Sequence, residues 1–423
     1  MTLSLGIDIG TSGVRTAVLD DAGTLVSMAR SPHPPQDAEN INAVAWWQAV
    51  QSCIAAQVDA LAELGLAGTD IGRIAIDGTS GSMTLVDADL RPVGPALMYN
   101  SKGFEDEARR ISHSAAPDSH ITQGANSALA RAMRLVVRAD DTPRHLLHQA
   151  DYIAAKLIGH GGPSDHNNAL KTGFDPQTER WPDWVGTLID PCLLPDVVPV
   201  GTEIGQVSHV VAARLGIAPG AIVHAGTTDS IAAFLAAAPL EPGAAVTSIG
   251  STLALKIISD RRIDLPEQGL YSHKLGPFWL AGGASNTGGA VLAHFFAADD
   301  IAALSARIDP SQASGLDYYP LLSPGERFPT NDPYLQPRLE PRPRSDAQFL
   351  HGLFEGIARI EADGYRLIRE QGGPDPQPLF TAGGGARNDV LRHIRASCLD
   401  VTPQIASQTE AAIGAARICH GLF

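Results

Sequence analysis

The residues of this 423-residue chain best suited to chemistry are two aspartates and the Gly-, Ser- and Thr-rich turns beside them. Asp8 closes an alternating apolar stretch that runs into Gly10-Thr11-Ser12-Gly13. Asp229 follows Gly226-Thr227-Thr228, and a further turn of the same kind follows Asp77 as Gly78-Thr79-Ser80-Gly81. Such turns offer amide N–H groups and hydroxyls with no bulky Cβ in the way, which is what close approach to phosphate oxygens requires. A nucleotide is the implied guest. Yet G-x-x-x-x-G-K-[ST] is absent, and Gly6, Gly10 and Gly13 do not fit G-x-G-x-x-G. A phosphate site would have to be shared between two hairpins. Taken singly, each turn reads as an ordinary hairpin connection; their repetition points to more.

Asp8 can be read as a carboxylate bonding its own turn, or as an anchor for Mg²⁺, which favours one or two carboxylates together with water and substrate phosphates. The residues alone leave both open. Asp229 stands before an apolar helical stretch, where a carboxylate would accept from the amides of Ser230 to Ala232. Helix capping is compatible with catalysis. A helix N-terminus favours the ionised form, and an aspartate with an ordinary pKa near about 3.9 is already a base at neutral pH. It could take the proton of an alcohol attacking a γ-phosphate. Gly383-Gly384-Gly385-Ala386-Arg387-Asn388 reads as a tight strand-to-helix turn or as a flat backbone surface for adenine, with Asn388 as donor and acceptor. His145 and His148, three apart on an expected helix, lack a third ligand and read as a solvated face.

These residues need elements to position them. Leu3, Leu5, Ile7 and Ile9 alternate as a strand, residues 14–19 and 23–28 continue an antiparallel meander, and Trp47, Val50, Ile54, Val58 and Leu61 recur at helical spacing. Further strands are expected over 73–76, 83–86 and 222–224, then a helix over 231–238. Pro239-Leu240-Glu241-Pro242-Gly243 is the best hinge candidate. Beyond it, strands at 245–249 and 253–258 flank Gly250-Ser251-Thr252 and repeat the opening pattern. A long helix carries Phe349, Leu353, Ile357, Ile360 and Leu367, a strand covers 379–382, and a last helix covers 410–419. Two halves that each open on a meander and a phosphate-sized turn imply a duplicated α/β architecture with a cleft between them.

Composition narrows the class. With 44% hydrophobic and 18% charged residues, 42 glycines and 30 prolines, the chain is globular and long enough for two or three domains. A formal charge of −15 argues against a nucleic-acid or anionic-membrane surface. Cys53, Cys192, Cys398 and Cys419 form no C-x-x-C pair, so neither a disulfide framework nor structural zinc is suggested. The longest stretch without Asp, Glu, Lys or Arg, 275–298, is too rich in glycine for a membrane helix. The opening residues lack the regions of a signal peptide, and the cytoplasm is the expected location.

Taken together, LGIDIGTSG (5–13), IDGTSG (76–81), HNNALKTGF (166–174), AGTTDSIAAFLA (225–236), SIGST (248–252), GERFP (325–329), AGGGARN (382–388) and TEAAIGAA (409–416) resemble the FGGY family of carbohydrate kinases over nearly the whole chain. Further segments look most like its short D-ribulose kinase-like branch, also labelled xylulose kinase-like. The resemblance implies a ribonuclease H-like, actin-type ATPase fold, α/β and duplicated, with two domains around a nucleotide cleft. Residues 1–236 would form the sugar-binding domain and 237–408 the nucleotide-binding domain, with a C-terminal helix in 409–423 packing back on the first. It implies ATP-dependent phosphorylation of a pentulose, D-ribulose to D-ribulose 5-phosphate. D-xylulose, or another ketose or polyol, is the alternative within kinases, and an actin-like nucleotide-gated binding protein the alternative outside them.

By matching position, Asp229 resembles the catalytic base, and Asp8 the acid that serves Mg-ATP, directly or through water, near the reacting hydroxyl. Thr11, Ser12, Gly250, Ser251 and Thr252 resemble the phosphate-facing hairpins, Gly384, Gly385 and Asn388 the adenosine turn, and Ser80 a sugar-contacting serine. Three segments depart from relatives. Met98-Tyr99-Asn100-Ser101-Lys102 stands where xylulokinases carry W-x-D-x-R, so an amide replaces a carboxylate that could accept two sugar hydroxyls. Ala130-Arg131-Ala132-Met133 stands where many carry Lys and Trp, and Leu391 where many carry an aromatic. The expected partners are a sugar and ATP, and a monomer or a homodimer fits equally.

Overall fold

The computed structural model describes residues 2–35, 41–118, 120–139 and 141–421. The chain divides into two compact units, Met1–Ala236 with Lys274–Gly276 and Glu410–Phe423, and Ala237–His273 with Pro277–Thr409. Of the C-terminal segment expected to return to the first unit, residues 422 and 423 lie outside the described residues.

The first unit opens on β1 (Leu3–Ile9), β2 (Gly13–Leu19) and β3 (Leu25–Pro32), and continues through β4 (Ile71–Gly78). Two small ladders follow, β5 (Met83–Val86) with β6 (His145–His148) and β7 (Ser164–Asp165) with β8 (Val197–Val198). Then β9 (Glu203–Gln206) and β10 (Ile222–Thr228) complete a six-stranded sheet of order β3-β2-β1-β4-β10-β9. Inside it β1, β4 and β10 are parallel, while β2 and β3 run antiparallel as the meander requires.

Alternation in β1 sends Leu3, Leu5, Ile7 and Ile9 into the core, against Trp46, Val50, Ile54 and Leu61 of the helix Val44–Glu63. The opposite face of the sheet is covered by the helix Ala411–Ile418, which packs on β1, β2 and β4. Contact there is backbone against backbone: a Cβ on Gly6 would lie 1.9 Å from the Ala412 carbonyl oxygen, and where the same helix meets the helix Asp229–Ala237 a Cβ on Gly414 would lie 1.7 Å from the Ala232 carbonyl oxygen. Only glycine allows that approach. Arg417 Nη1 fastens the helix by donating to the carbonyls of Leu235 (2.7 Å) and Ala236 (3.0 Å).

The second unit repeats the plan. β11 (Ala245–Ile249), β12 (Leu253–Ser259), β13 (Tyr271–Leu275), β14 (Phe278–Ser285), β15 (Leu379–Ala382) and β16 (Gln404–Ile405) form a sheet of order β13-β14-β12-β11-β15-β16. As β1 does with β2 and β4, β11 pairs antiparallel with the next strand, β12, and parallel with a later one, β15. The helix Asp346–Glu370 buries Phe349, Leu353, Ile357 and Ile360 against Leu255 and Leu379, and the side chain of Ser345 caps it by accepting from the Gln348 amide. Duplication is thus a property of both topology and register. No helix among the described residues is long and apolar enough to cross a membrane, and all four cysteines are free.

Candidate active site

Parallel pairing decides which side chains meet. Asp8 on β1 stands opposite Asp77 on β4, and Asp77 stands opposite Thr227 on β10. Asp229 is the first residue of the helix Asp229–Ala237 that leaves β10. Three acids therefore gather at the C-terminal edge of three neighbouring strands, the edge at which ligands bind in open α/β sheets.

The three differ in environment. Asp8 is buried and accepts from Arg15 Nη1 at 3.3 Å, while Arg15 also lies 3.7 Å from Glu410; burial raises the Asp8 carboxyl above its usual range. Asp77 is fully buried, and no N–H or hydroxyl among the described residues reaches either of its oxygens. Burial first, then the charges of Asp8 and Asp229, push its carboxyl well above the usual range. Of the trio, Asp77 is the one whose surroundings most strongly favour the protonated form. Asp229 is half-buried, and its Oδ1 accepts from the Ser230 amide at 2.6 Å.

Sequence reading placed Asp77 only inside a turn and gave it no role. A signal was present: Ile74 and Ile76 alternate into Asp77 as Ile7 and Ile9 flank Asp8, so both acids stand at the ends of neighbouring strands.

Ser80 lies half-buried in the turn between β4 and β5. Its neighbours fix the backbone: Gln149 Oε1 accepts from the Thr79 amide (3.0 Å) and hydroxyl (2.7 Å), and the Thr79 and Ser82 hydroxyls lie 2.6 Å apart. Ser82 Oγ also accepts from the Tyr99 amide at 2.9 Å, joining this turn to the segment that carries the exposed Asn100. At the tip between β1 and β2, Thr11 and Ser12 are exposed, while the Gly10 amide donates to the Gly13 carbonyl at 2.9 Å and a His33 ring nitrogen lies 2.9 Å from the Gly10 carbonyl. Thus Asp8, Thr11, Ser12, Ser80 and Asp229 all belong to one edge of the first unit's sheet.

His145 and His148 correct an expectation. They occupy strand β6, not a helix, paired with Val86 and Met83. A three-residue step in a strand reverses the face, so the two rings diverge. His148 is buried instead of solvated, and burial, followed by the charge of Arg131, lowers its pKa to about 3.

The second unit carries the other turns at the corresponding edge of β11 and β15. Ser251 and Thr252 are exposed at the tip following β11, held by amide bonds from Gly289 to the Gly250 carbonyl (2.7 Å) and from Ala290 to that of Ser251 (3.1 Å). After β15 the chain turns through Gly384–Arg387 into the helix Asp389–Leu399. Nothing lies within 4 Å of where a Cβ on Gly384 would be, whereas one on Gly385 would meet Ile249 at 2.6 Å. Gly384 thus presents bare backbone outward, as stacking on a flat base would need. Asn388 Oδ1 caps the helix by accepting from the Leu391 amide (2.9 Å), and its Nδ2 donates to Ser305 Oγ (2.8 Å). Leu391 is a core side chain, 1% exposed, and offers no ring or edge to a base.

Two α/β units of one topology, each ending its first strand in a Gly-Ser/Thr hairpin, one with strand-end acids and the other with a glycine turn, define a two-domain phosphotransferase of the actin-like ATPase architecture. The chain belongs to the FGGY family of carbohydrate kinases: the family's N-terminal domain matches residues 3–236 and its C-terminal domain residues 245–420. The protein is a sugar kinase. It is 26% identical over 450 residues to the xylulose kinase of Escherichia coli, covering 98% of this chain and 89% of that one. It is also 26% identical over 444 residues to the xylulose kinase of Streptomyces coelicolor, covering 100% and 88%. The crystal structure of xylulose kinase from Rhodospirillum rubrum superposes with a TM-score of 0.85 at 22% identity, covering 98% of this chain and 89% of that one.

Proposed function

We propose that this protein transfers the γ-phosphoryl group of ATP to the terminal C5 hydroxyl of a pentulose, with D-ribulose the preferred sugar. The observation that carries the reading is the convergence of Asp8, Asp77 and Asp229 at one strand edge, next to the turn that carries the half-buried Ser80. Asp229 accepts the hydroxyl proton as the sugar oxygen bonds to the γ-phosphorus, and the bond from that phosphorus to the β,γ-bridging oxygen breaks to release ADP. Its helix-terminal position favours the carboxylate it must be before the step. Thr11, Ser12, Ser251 and Thr252 supply hydroxyls and amides for phosphate oxygens. The Gly384–Gly385 backbone meets adenine, with the remaining N–H of the Asn388 amide available beside it.

No group of three or more His, Cys, Asp or Glu among the described residues forms a metal cage. Asp8, a single carboxylate at the strand end, fits Mg²⁺, which keeps several waters and takes substrate phosphates as ligands, and would hold it directly or through water. When bound there it would neutralise charge on the phosphate oxygens.

D-ribulose is favoured over D-xylulose by Asn100, where an amide replaces the acid of the xylulokinase pattern, and by Ser80. The names of the curated relatives favour D-xylulose. ADP release measured across D-ribulose, D-xylulose, L-ribulose, glycerol and ribitol tests both. The highest kcat/KM is expected for D-ribulose; a higher value for D-xylulose would transfer the assignment, and turnover confined to glycerol or ribitol would remove the pentulose reading.

A further inference from the structure

Arg131 is an unusual buried charge. On the helix Ala128–Val137 it is 3% exposed, yet no carboxylate among the described residues pairs with it. Its Nε donates to the Gly81 carbonyl at 2.9 Å, and its Nη1 to the carbonyls of Tyr99 (3.0 Å) and Asn126 (2.9 Å). The third nitrogen, Nη2, bonds none of the described residues. It occupies the place a side chain at position 81 would need: a Cβ on Gly81, whose φ is +82°, would lie 2.7 Å from Nη2. The turn has given up a side chain, and the guanidinium fills that space directly beside Ser80.

A buried cation with carbonyl partners alone and a spare N–H is costly unless an acceptor completes it. The reaction supplies one. The furanose form of a pentulose closes its ring through the C5 oxygen onto C2, so a sugar phosphorylated at C5 must be bound open-chain, with C2 a free ketone. A ketone oxygen only accepts hydrogen bonds, and a guanidinium N–H only donates.

We propose that Arg131 is the residue that recognises the ketone: its Nη2 hydrogen-bonds the C2 carbonyl oxygen of the open-chain pentulose beside Ser80, and so selects ketoses over the corresponding alditols. This rests on the pentulose reading above. The C2 hydroxyl of an alditol can accept as well, but it sits on a tetrahedral carbon and brings a proton of its own that needs an acceptor, which the guanidinium lacks, so the ketone is the better match.

The experiment compares kcat/KM and KM for D-ribulose and D-xylulose with the inhibition constants of ribitol and D-arabinitol, for the unaltered protein, Arg131→Met, Arg131→Lys and Ser80→Ala. Arg131→Met is expected to lower ketose kcat/KM roughly 10- to 100-fold, the range for a charged hydrogen bond, while alditol inhibition and the KM for ATP hold. Arg131→Lys, which keeps a donor, recovers part of the ketose preference. An equal loss for ketose and alditol, or none, overturns the proposal and leaves Arg131 a brace for its three carbonyls. Should Arg131→Met fail to fold, the ketose-to-alditol ratio of Arg131→Lys decides: an unchanged ratio overturns the role. Pentulose turnover with an unaltered ratio removes Arg131 alone. Absence of pentulose turnover by the unaltered protein removes the reading beneath it as well.

Discussion

The parallel pairs formed by the first strand of each sheet hold opposite kinds of buried polarity. In the first unit β1 and β4 set Asp8 against Asp77, and Asp77 finds no N–H or hydroxyl donor among the described residues. In the second unit β11 and β15 set Thr247 against Thr381, and both are consumed by a closed network. Glu361 accepts from Arg395 Nε (2.6 Å), Arg395 Nη2 (2.7 Å) and the Thr247 hydroxyl (2.6 Å); Arg395 Nη1 donates to Thr381 Oγ1 (2.8 Å), and Tyr365 lies 2.9 Å from the Thr247 hydroxyl. One topology has been used twice, once to hold a sheet to the helices behind it and once to keep hydrogen-bonding capacity in reserve. Satisfied buried networks rigidify, whereas unsatisfied ones destabilise and persist where something else completes them. The two buried arginines repeat the contrast: Arg395 has its carboxylate, and Arg131 has none among the described residues.

The comparison breaks most visibly at Asp229. Asp229→Asn keeps shape and removes the base, so sugar phosphorylation should fall by about 10²- to 10⁴-fold, the scale of general-base loss. ATP affinity, followed by calorimetry, should hold. Undiminished turnover would take the proton-accepting role from Asp229 and leave the acid edge of the first unit without its base. Next in size is the opposite experiment in the second unit. Glu361→Ala strands the Arg395 charge, and breaking a buried pair costs about 3–5 kcal/mol. A lower denaturation midpoint with turnover preserved in the molecules still folded at low temperature is expected. Turnover lost at an unchanged midpoint would show that this network also belongs to the site.

The sequence made the sheet plan and the phosphate-sized turns legible because alternation, helical spacing and glycine placement are local. Leu3 to Ile9 can only be read one way, and Gly10 to Gly13 follows directly. The acid edge was half legible. Asp8 and Asp229 were singled out beside their turns, but Asp77 acquires meaning only when β4 pairs with β1, a contact between residues 69 positions apart that no local pattern records. His148 failed for a related reason. Residues 145–148 read as helix by spacing, and pairing with β5 overrode that weak propensity and drew the ring into the interior. Arg131 stood in a departing segment, but the three carbonyls that hold it come from three separate loops.

His148 carries the contrast into pH. Its pKa of about 3 in the folded protein lies below the unfolded value of about 6.5, so the folded state keeps the neutral ring while the unfolded chain takes up a proton. The associated stability is complete above about pH 6.5 and is lost as the pH falls toward 3. Replacing the residue, as in His148→Gln, removes that dependence, so the stability advantage of the unaltered protein over the variant should shrink by about 2 kcal/mol between pH 7 and pH 5. Chemical denaturation at the two pH values checks it, and a constant difference would mean that the ring finds a charge-accepting partner.

The smallest effect sharpens the nucleotide side. Asn388 spends one end capping the helix Asp389–Leu399 and the other on Ser305. Asn388→Ala should cost about 1 kcal/mol of stability through the lost cap. Asn388→Asp keeps the capping oxygen and puts a negative charge at a helix N-terminus, so the helix is supported, but it removes the N–H to Ser305 and the second N–H proposed to face adenine. Stability near that of the unaltered protein with a raised KM for ATP is therefore expected from Asn388→Asp. If KM for ATP moves only in Asn388→Ala, and in step with stability, then Asn388 shapes the turn without meeting the nucleotide, and recognition of adenine rests on the bare Gly384 backbone alone.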